Sequence, residues 1–170
     1  MKRQLPQAGY TLIELLLYIA MVGVLLAAVT AFFGMATDAR VKNQSITEVN
    51  EQATYALDII TQVVRNGTGI SGPAVGASSS QLTVVVPTAS LSPTVFDVSG
   101  GVLRIKEGAG AATTLTNSKV QVNSLTVTNL TRSGTSDVVQ ISLSLSRVNP
   151  SNMNQFDYAK TFTTSVGVRP

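Results

Sequence analysis

The N-terminal stretch of this chain reads Gln7-Ala-Gly-Tyr-Thr-Leu-Ile-Glu-Leu-Leu-Leu-Tyr-Ile-Ala-Met-Val-Gly-Val-Leu-Leu-Ala-Ala-Val-Thr-Ala-Phe-Phe33, and the rest of the sequence is organised around it. After Glu14 no charged residue occurs until Asp38, which leaves 23 uncharged residues in a row. A helix needs about 20 residues to cross a bilayer. The stretch therefore predicts a membrane-spanning helix with one carboxylate near its start. A carboxylate in that setting is costly, so it needs a partner.

The charges that flank this stretch predict its orientation in the membrane. Lys2 and Arg3 precede it, and the next charged residues begin at Asp38. The positive-inside rule places the N-terminus in the cytoplasm and the rest of the chain outside, as a single-pass protein of the cytoplasmic (inner) membrane. Two other interpretations stay open. One is a secretory signal cut among the small residues of 27–31, and the other is an uncleaved membrane anchor.

The eight residues from Gly9 to Leu16 resemble the cleavage and methylation signal of type IV pilins and type II secretion pseudopilins. In that family a prepilin peptidase cuts after the glycine and methylates the new N-terminal amine. The resemblance therefore implies a cytoplasmic leader peptide at residues 1–9, cleavage between Gly9 and Tyr10, and N-methylation of Tyr10. The family usually has phenylalanine at the position of Tyr10, so the aromatic ring is kept.

Glu14 matches the acidic residue of the family's signal. On a helix it lies one turn from the mature N-terminus, where the helix dipole favours a negative charge. The resemblance implies that Glu14 acts in assembly by meeting the N-terminal amine of a neighbouring subunit. Its own N-terminus and the lipid headgroups are alternative partners. The implied protein partners are prepilin peptidase, other pilin or pseudopilin subunits and the assembly platform protein.

Weaker features bear on the kind of subunit. Residues 96–106 and 115–122 resemble J-type minor pseudopilins and W-type minor pilins. Major pilins usually carry a helix-breaking proline in the apolar helix, and residues 25–31 have none. The function implied is a structural subunit, a minor pilin or pseudopilin, of a type IV pilus or type II secretion filament. The alternatives are a major filament pilin and a membrane-tethered extracytoplasmic binding domain.

Composition limits the chemistry that the chain can perform. It contains no His and no Cys, so a His general base, a Cys nucleophile and a typical zinc site are excluded. We expect no cofactor, no metal and no enzymatic activity. Removal of the leader takes away Lys2 and Arg3, which changes Lys+Arg from 12 to 10 against 9 acids, or a net side-chain charge of +1. This balance does not favour nucleic acid as a partner, but it leaves that partner open.

Residues 38–66 keep the helical period but become amphipathic. Apolar side chains recur there at three- and four-residue spacings: Ile46, Val49, Ala53, Ala56, Leu57, Ile60, Val63 and Val64. The pair Asn66-Gly67 is typical of a helix end. The pattern predicts one long helix with a transmembrane or filament-core part at residues 10–37 and an amphipathic distal half at residues 38–66.

Residues 67–170 change to the two-residue period of strands and predict a β-rich globular head. We expect a loop over 68–80, a hairpin around Gly100-Gly101, and short strands at 82–87 and 113–116. The clearest alternation predicts the inward-facing residues Val139, Ile141, Leu143 and Leu145, with Val120, Val122, Leu125, Val127 and Leu130 on a neighbouring strand. The fold class is therefore α+β, an antiparallel β-sheet head packed on the distal half of a long helix, a pilin-like ladle.

Three further patterns in the head are open to a functional interpretation. The loop 149–157 is rich in oxygen ligands but has only Asp157 as a carboxylate, which is few for calcium. Asn43, Asn66 and Asn129 each begin a glycosylation acceptor pattern. Five basic residues are spread without clustering in the sequence: Lys106, Lys119, Arg132, Arg147 and Lys160.

Overall fold

The computed structural model of the chain describes residues 9–169. The leader predicted at residues 1–9 therefore lies outside the described residues except for Gly9, as does Pro170 at the end of the predicted head. Within these described residues a single helix, α1 (Leu12–Asn66), is followed by nine strands: β1 (Gly69–Gly72), β2 (Ser78–Ser79), β3 (Leu82–Val85), β4 (Thr94–Ser99), β5 (Val102–Glu107), β6 (Thr113–Thr114), β7 (Val120–Asn129), β8 (Val138–Arg147) and β9 (Ala159–Gly167). Two 3₁₀ turns lie at Ala89–Leu91 and Asn154–Phe156.

The chain forms two compact units, and the boundary between them falls inside α1, after Arg40. We call residues 9–40 the N-terminal unit and residues 41–169 the distal unit. In the N-terminal unit, α1 is long and apolar enough to cross a membrane, and none of its most apolar window is buried within the chain. This is the pattern of a helix whose apolar surface is covered by lipid or by other helices.

The distal unit has an α+β architecture, and the predicted fold class is confirmed. Two antiparallel sheets pack on the distal half of α1, with strand orders β1-β3-β4-β5-β6 and β2-β7-β8-β9. The sequence predicted one sheet, because alternation marks the inner face of a strand but does not specify its neighbours. The two sheets share one core with the helix.

The core follows the two predicted periodicities. From α1 it takes buried residues at four- and three-residue spacings: Val49, Ala53, Ala56, Ile60 and Val64. Ser45 continues this stripe, and its hydroxyl donates to the carbonyl of Val41 (3.0 Å). From β8 the core takes all four predicted inward residues, each fully buried: Val139, Ile141, Leu143 and Leu145. Ile46, Leu57 and Val63 of the predicted stripe lie at its margin and are half-buried.

The β4–β5 hairpin forms where the sequence predicts it. Ser99 pairs with Val102, so the loop contains only Gly100 and Gly101. Their φ angles are +61° and +75°, a conformation that a two-residue hairpin of this kind requires and that glycine adopts without a steric penalty.

Strand β7 corrects one predicted core residue. The predicted shift in its alternation is present as an irregularity between Val122 and Ser124. Beyond it the inward positions are Leu125, Val127 and Asn129, whereas Leu130 is 46% exposed. The prediction for Leu130 was wrong because β7 keeps its two-residue period to the end of the strand. The last inward position is therefore Asn129, although its side chain is polar.

The region predicted as a loop, residues 68–80, contains two short strands. β1 pairs with β3 and β2 pairs with β7, each as an edge strand. These segments are rich in glycine and serine and lack an apolar alternation, so their strand character comes from backbone hydrogen bonds to an existing sheet. The strand predicted at 113–116 is shorter, because Thr116 turns inward and its Oγ1 accepts a hydrogen bond from the backbone of Leu103 (3.2 Å).

Candidate processing and assembly site

The start of α1 holds the residues predicted for processing. Gly9 and Tyr10 precede the helix and are exposed, and the side chain of Tyr10 is 80% exposed. The helix begins at Leu12, so the Gly9–Tyr10 peptide bond lies outside regular structure. An exposed bond outside a helix is accessible to a peptidase, whereas a bond inside a helix would first require local unfolding.

Thr11 caps the helix. The backbone N–H of Glu14 donates to both the Oγ1 of Thr11 (3.3 Å) and its carbonyl oxygen (3.1 Å). A threonine at the N-cap followed three residues later by glutamate is the capping-box pattern, and such a cap contributes about 0.5–2 kcal/mol to helix stability. The spacing Thr11-x-x-Glu14 is a local pattern in the sequence from which this cap could have been predicted. The cap places Glu14 in the first turn, at the positive end of the helix dipole.

Glu14 is half-buried, with exposed apolar neighbours on both sides. Ile13 and Leu15 expose most of their surface in the single chain. Among residues 9–169, the ion pairs are Arg104–Asp97 and Lys119–Glu48, so no cation of the described chain pairs with Glu14. Within residues 9–169 the carboxylate therefore has no cationic partner on this apolar helix surface, close to the position of the mature N-terminus that the resemblance implies.

Both threonine hydroxyls inside the apolar part of α1 donate hydrogen bonds to the helix backbone. Thr30 Oγ1 donates to the carbonyl of Leu26 (2.8 Å), and Thr37 Oγ1 donates to the carbonyl of Phe33 (2.8 Å). The two glycines of this segment, Gly23 and Gly34, have no atom within 4 Å of an added Cβ. Nothing within the described chain therefore requires glycine there, and small residues on an apolar helix permit close approach by another helix.

Residues 5–30 match a family model described as the prokaryotic N-terminal methylation motif. The chain carries the type IV pilin and pseudopilin signal. The matched range includes Gly9, Tyr10 and Glu14 together with most of the apolar segment. No match was found among curated proteins or among solved structures.

The pilin-type signal supports the assignment of this chain as a type IV pilin-like or pseudopilin subunit. The apolar part of α1 fits a membrane-anchored pilin. Proteins of this family are structural, and the signal implies processing by prepilin peptidase and assembly with other pilins. The match ends at residue 30. The J-type and W-type subtypes, which rest on residues 96–122, therefore stay predictions.

A partly buried polar cluster in the distal unit joins α1 to the loop before β7. Glu48 Oε1 accepts a hydrogen bond from Asn117 Nδ2 (2.6 Å), and Glu48 Oε2 lies 3.5 Å from Lys119 Nζ. Gln52 Oε1 accepts from the backbone N–H of Asn117 (3.1 Å). The hydrogen bond from Asn117 lowers the pKa of Glu48, the charge of Lys119 acts in the same direction, and burial opposes them. We call Glu48, Gln52, Asn117 and Lys119 the helix clamp.

The structure also shows the surroundings of the predicted glycosylation patterns and of the oxygen-rich loop 149–157. Asn129 is 2% exposed and its Nδ2 donates to the carbonyl of Pro73 (2.8 Å), so this amide is not available for glycosylation. Asn43 and Asn66 are exposed. The loop 149–157 is closed by the side chain of Asn149, which bonds both backbone polar groups of Met153. In the described residues no group of three or more acidic side chains is arranged to hold a metal.

The five basic residues named from the sequence do not form one surface. Arg147 Nη1 donates to the carbonyl of Lys119 (3.0 Å), which brings these two together. Lys106 lies on β5 and Lys160 on β9, in different sheets.

Proposed function

We propose that this protein is a minor pilin or pseudopilin, a structural subunit of a type IV pilus or type II secretion filament. Prepilin peptidase removes residues 1–9 by cleavage between Gly9 and Tyr10 and methylates the amine of Tyr10. The mature subunit then enters a filament through its N-terminal helix, and it performs no chemistry of its own. The match of residues 5–30 to the methylation motif is the observation that carries this proposal.

The subunit begins as a single-pass protein of the cytoplasmic membrane with its N-terminus inside. Residues 10–37 form the transmembrane and later filament-core segment, residues 38–66 the distal half of the helix, and residues 67–170 the extracytoplasmic head. The assembly platform protein moves the helix from lipid into contact with other subunits. The support for this division is the change from an exposed apolar helix to a helix with one buried stripe after Arg40.

Glu14 selects and positions the incoming subunit. Its carboxylate lies on an apolar surface without a cationic partner in the described chain, and a charge left unpaired in lipid or in a helix bundle is strongly disfavoured. The amine of Tyr10 in a neighbouring subunit supplies the opposite charge. The hydrogen bond that the backbone N–H of Glu14 donates to Thr11 Oγ1 keeps Glu14 in the first helical turn, close to the end of the helix where that amine arrives.

A minor role is favoured over a major one by the apolar helix. It has no proline between Leu25 and Ala31, and α1 continues through this region without interruption. Major pilins usually carry a helix-breaking proline there. The abundance of the protein in sheared filaments separates the two roles, because a major subunit forms the principal band and a minor subunit does not.

The decisive experiment is mass spectrometry of the mature protein from cells that contain the native assembly system. The expected N-terminus is an N-methylated Tyr10. A chain that begins at Met1, or after a cut among residues 27–31, would contradict the proposal.

The role of Glu14 is tested by Glu14→Gln, with Glu51→Gln as a matched control on an exposed position of the same helix. We expect the Glu14 variant to be cleaved normally but to be lost from the filament fraction, whereas the control is retained. If the Glu14 variant is cleaved and remains fully functional, the helix is only a tether, and the alternative of a membrane-tethered binding domain is correct.

A further inference from the structure

Tyr18 places a polar group inside the apolar part of α1. It lies within the 23 uncharged residues that follow Glu14, and its side chain is 52% exposed. Within residues 9–40, the side-chain hydrogen bonds are those of three threonines. The phenol hydroxyl of Tyr18 therefore has no partner in the part of the chain that the structure describes. An unpaired hydroxyl is disfavoured in lipid or in a helix bundle, so it needs a partner from another molecule.

Tyr18 shares a face of the helix with Glu14. Residues four apart lie one above the other on an α-helix, and a long side chain leans toward the turn that precedes its own Cα. The ring of Tyr18 accordingly lines one open groove of about 390 Å³ together with Tyr10, Leu15 and Ile19. This groove runs along the exposed start of the helix and leaves room for a neighbouring helix beside both polar side chains.

The polar groups of this segment fit a second, parallel helix that is displaced by four residues. The proposed contact between the amine of Tyr10 in one subunit and Glu14 of its neighbour requires that displacement, which is about 6 Å along the axis. The same displacement brings Glu14 of the first subunit level with Tyr18 of the neighbour. This step rests on the proposed function, because it takes the amine to be exposed by cleavage and the helices to be parallel.

One carboxylate can accept from both donors. An ionised carboxylate has two oxygens with about four lone-pair positions, so an ammonium and a phenol can bind to it together. In a row of displaced subunits, each Glu14 then meets the amine of one neighbour and the phenol of the other. The phenol of a subunit already in the row pairs the carboxylate of the incoming subunit before a further subunit supplies an amine.

We infer that Tyr18 is a positioning residue for assembly. Its hydroxyl donates a hydrogen bond to the carboxylate at the position of Glu14 in an adjacent subunit that carries the same signal. The contact of the amine with Glu14 is a single point between two helices, whereas the added contact of Tyr18 fixes their displacement at four residues. A neighbour without an acid at that level leaves the hydroxyl unpaired, so Tyr18 also selects for subunits that carry the signal.

The inference is tested in cells that contain the native assembly system. Tyr18→Phe removes the hydroxyl and keeps the ring, whereas Tyr18→Leu removes both. Tyr55→Phe is the matched control, because Tyr55 lies on the same helix and is likewise 52% exposed. Each variant is produced together with an equal amount of isotope-labelled native chain. The ratio of variant to native chain in sheared filaments is divided by the same ratio in the membrane.

We expect this quotient to fall about fivefold or more for Tyr18→Phe and at least as far for Tyr18→Leu, because a hydrogen bond to a charged group is lost. It should change about twofold or less for Tyr55→Phe. All three variants should still be cleaved between Gly9 and Tyr10. The photocrosslinking residue benzoylphenylalanine in place of Tyr18 should form adducts with a sister subunit within one turn of its acidic residue.

Three results would overturn the inference. Native-level entry of Tyr18→Phe would show that the hydroxyl is not needed, and a loss confined to Tyr18→Leu would assign the ring to packing alone. Equal losses for Tyr18→Phe and Tyr55→Phe would show that the effect is not specific to this position. Adducts formed only with lipid would make a headgroup the partner of Tyr18.

The proposed function is tested separately by the N-terminal mass of the native chain and by Glu14→Gln. If the native chain begins at an N-methylated Tyr10 and Glu14→Gln is lost from filaments while Tyr18→Phe is retained, the filament proposal stands and the inference about Tyr18 fails. A native chain without that N-terminus removes the proposed function and the inference with it.

Discussion

Replacement of Asn117 by alanine is expected to loosen the attachment of α1 to the sheets. Asn117 donates to the carboxylate of Glu48 at 2.6 Å, and this carboxylate is only 17% exposed. A hydrogen bond to a charged group contributes about 1.5–3 kcal/mol. Asn117 Oδ1 also accepts from the backbone N–H of Lys119 (3.0 Å), an exposed bond that adds little. We therefore expect Asn117→Ala to lower the free energy of unfolding of the distal unit by about 2–3 kcal/mol.

The same cluster predicts how stability depends on pH. The pKa of Glu48 is lower in the folded protein than in the unfolded chain, mainly because Asn117 donates to its ionised form. Its contribution to stability is therefore fully present above the unfolded pKa of about 4.3, and it is lost as the pH falls through the lower folded value. In Glu48→Gln this part of the acid dependence should disappear, while the dependence due to other carboxylates remains.

The assay is chemical unfolding of the full chain in detergent, followed by the β-sheet circular dichroism signal at neutral and acidic pH. Asn123→Ala is the matched control, because this exposed asparagine only accepts from Ser146 Oγ at 3.1 Å. It should change the free energy of unfolding by about 0.5 kcal/mol or less. A double-mutant cycle with Glu48→Gln and Asn117→Ala isolates the pair. A coupling energy near zero, or equal losses for Asn117→Ala and the control, would refute the reasoning.

Three further outcomes are expected from the packing of the distal unit, all measured by the same unfolding assay. Ile60→Ala should lower the free energy of unfolding by about 2–5 kcal/mol, because Ile60 is fully buried. Tyr55→Ala, at a 52% exposed position on the same helix, should lower it far less. Equal effects of the two variants would contradict the assignment of the buried stripe. Gly67→Ala should lower the free energy of unfolding by about 1–3 kcal/mol, since an added Cβ would lie 2.6 Å from Val84 Cγ1. An unchanged stability would show that this contact relaxes freely. Asn129→Leu should also destabilise the unit, by about 1–3 kcal/mol, because the carbonyl of Pro73 loses a buried donor; a stabilised variant would contradict this bond.

The local structure of this protein was largely predictable from local pattern. The end of α1 at Asn66, the β4–β5 hairpin and the buried face of β8 depend on residues close in sequence, through periodicity, glycine conformation and helix ending. The signal from Gly9 to Glu14 is equally local, and its match to the methylation motif required no tertiary contact. The threonine cap was also predictable, because Thr11-x-x-Glu14 is a local pattern.

Other features could not be predicted because they join distant parts of the chain. The helix clamp brings Glu48 to Asn117, and neither residue carries a local signal of the other. The strands β1 and β2 exist only because β3 and β7 offer them backbone partners. The inward direction of Asn129 depends on a register carried along the whole of β7.

The sequence by itself determined that an apolar helix with one carboxylate begins this protein, that the helix becomes amphipathic beyond it, and that strands follow. These properties arise from hydrophobic period and charge, which neighbouring residues carry. Only the tertiary structure decided that the strands form two sheets and that β9 is left as a long, regular edge. Strand pairing is made by backbone groups that every residue possesses, so the local alternation identifies the inner face of a strand, whereas the choice of its neighbours depends on the assembled core.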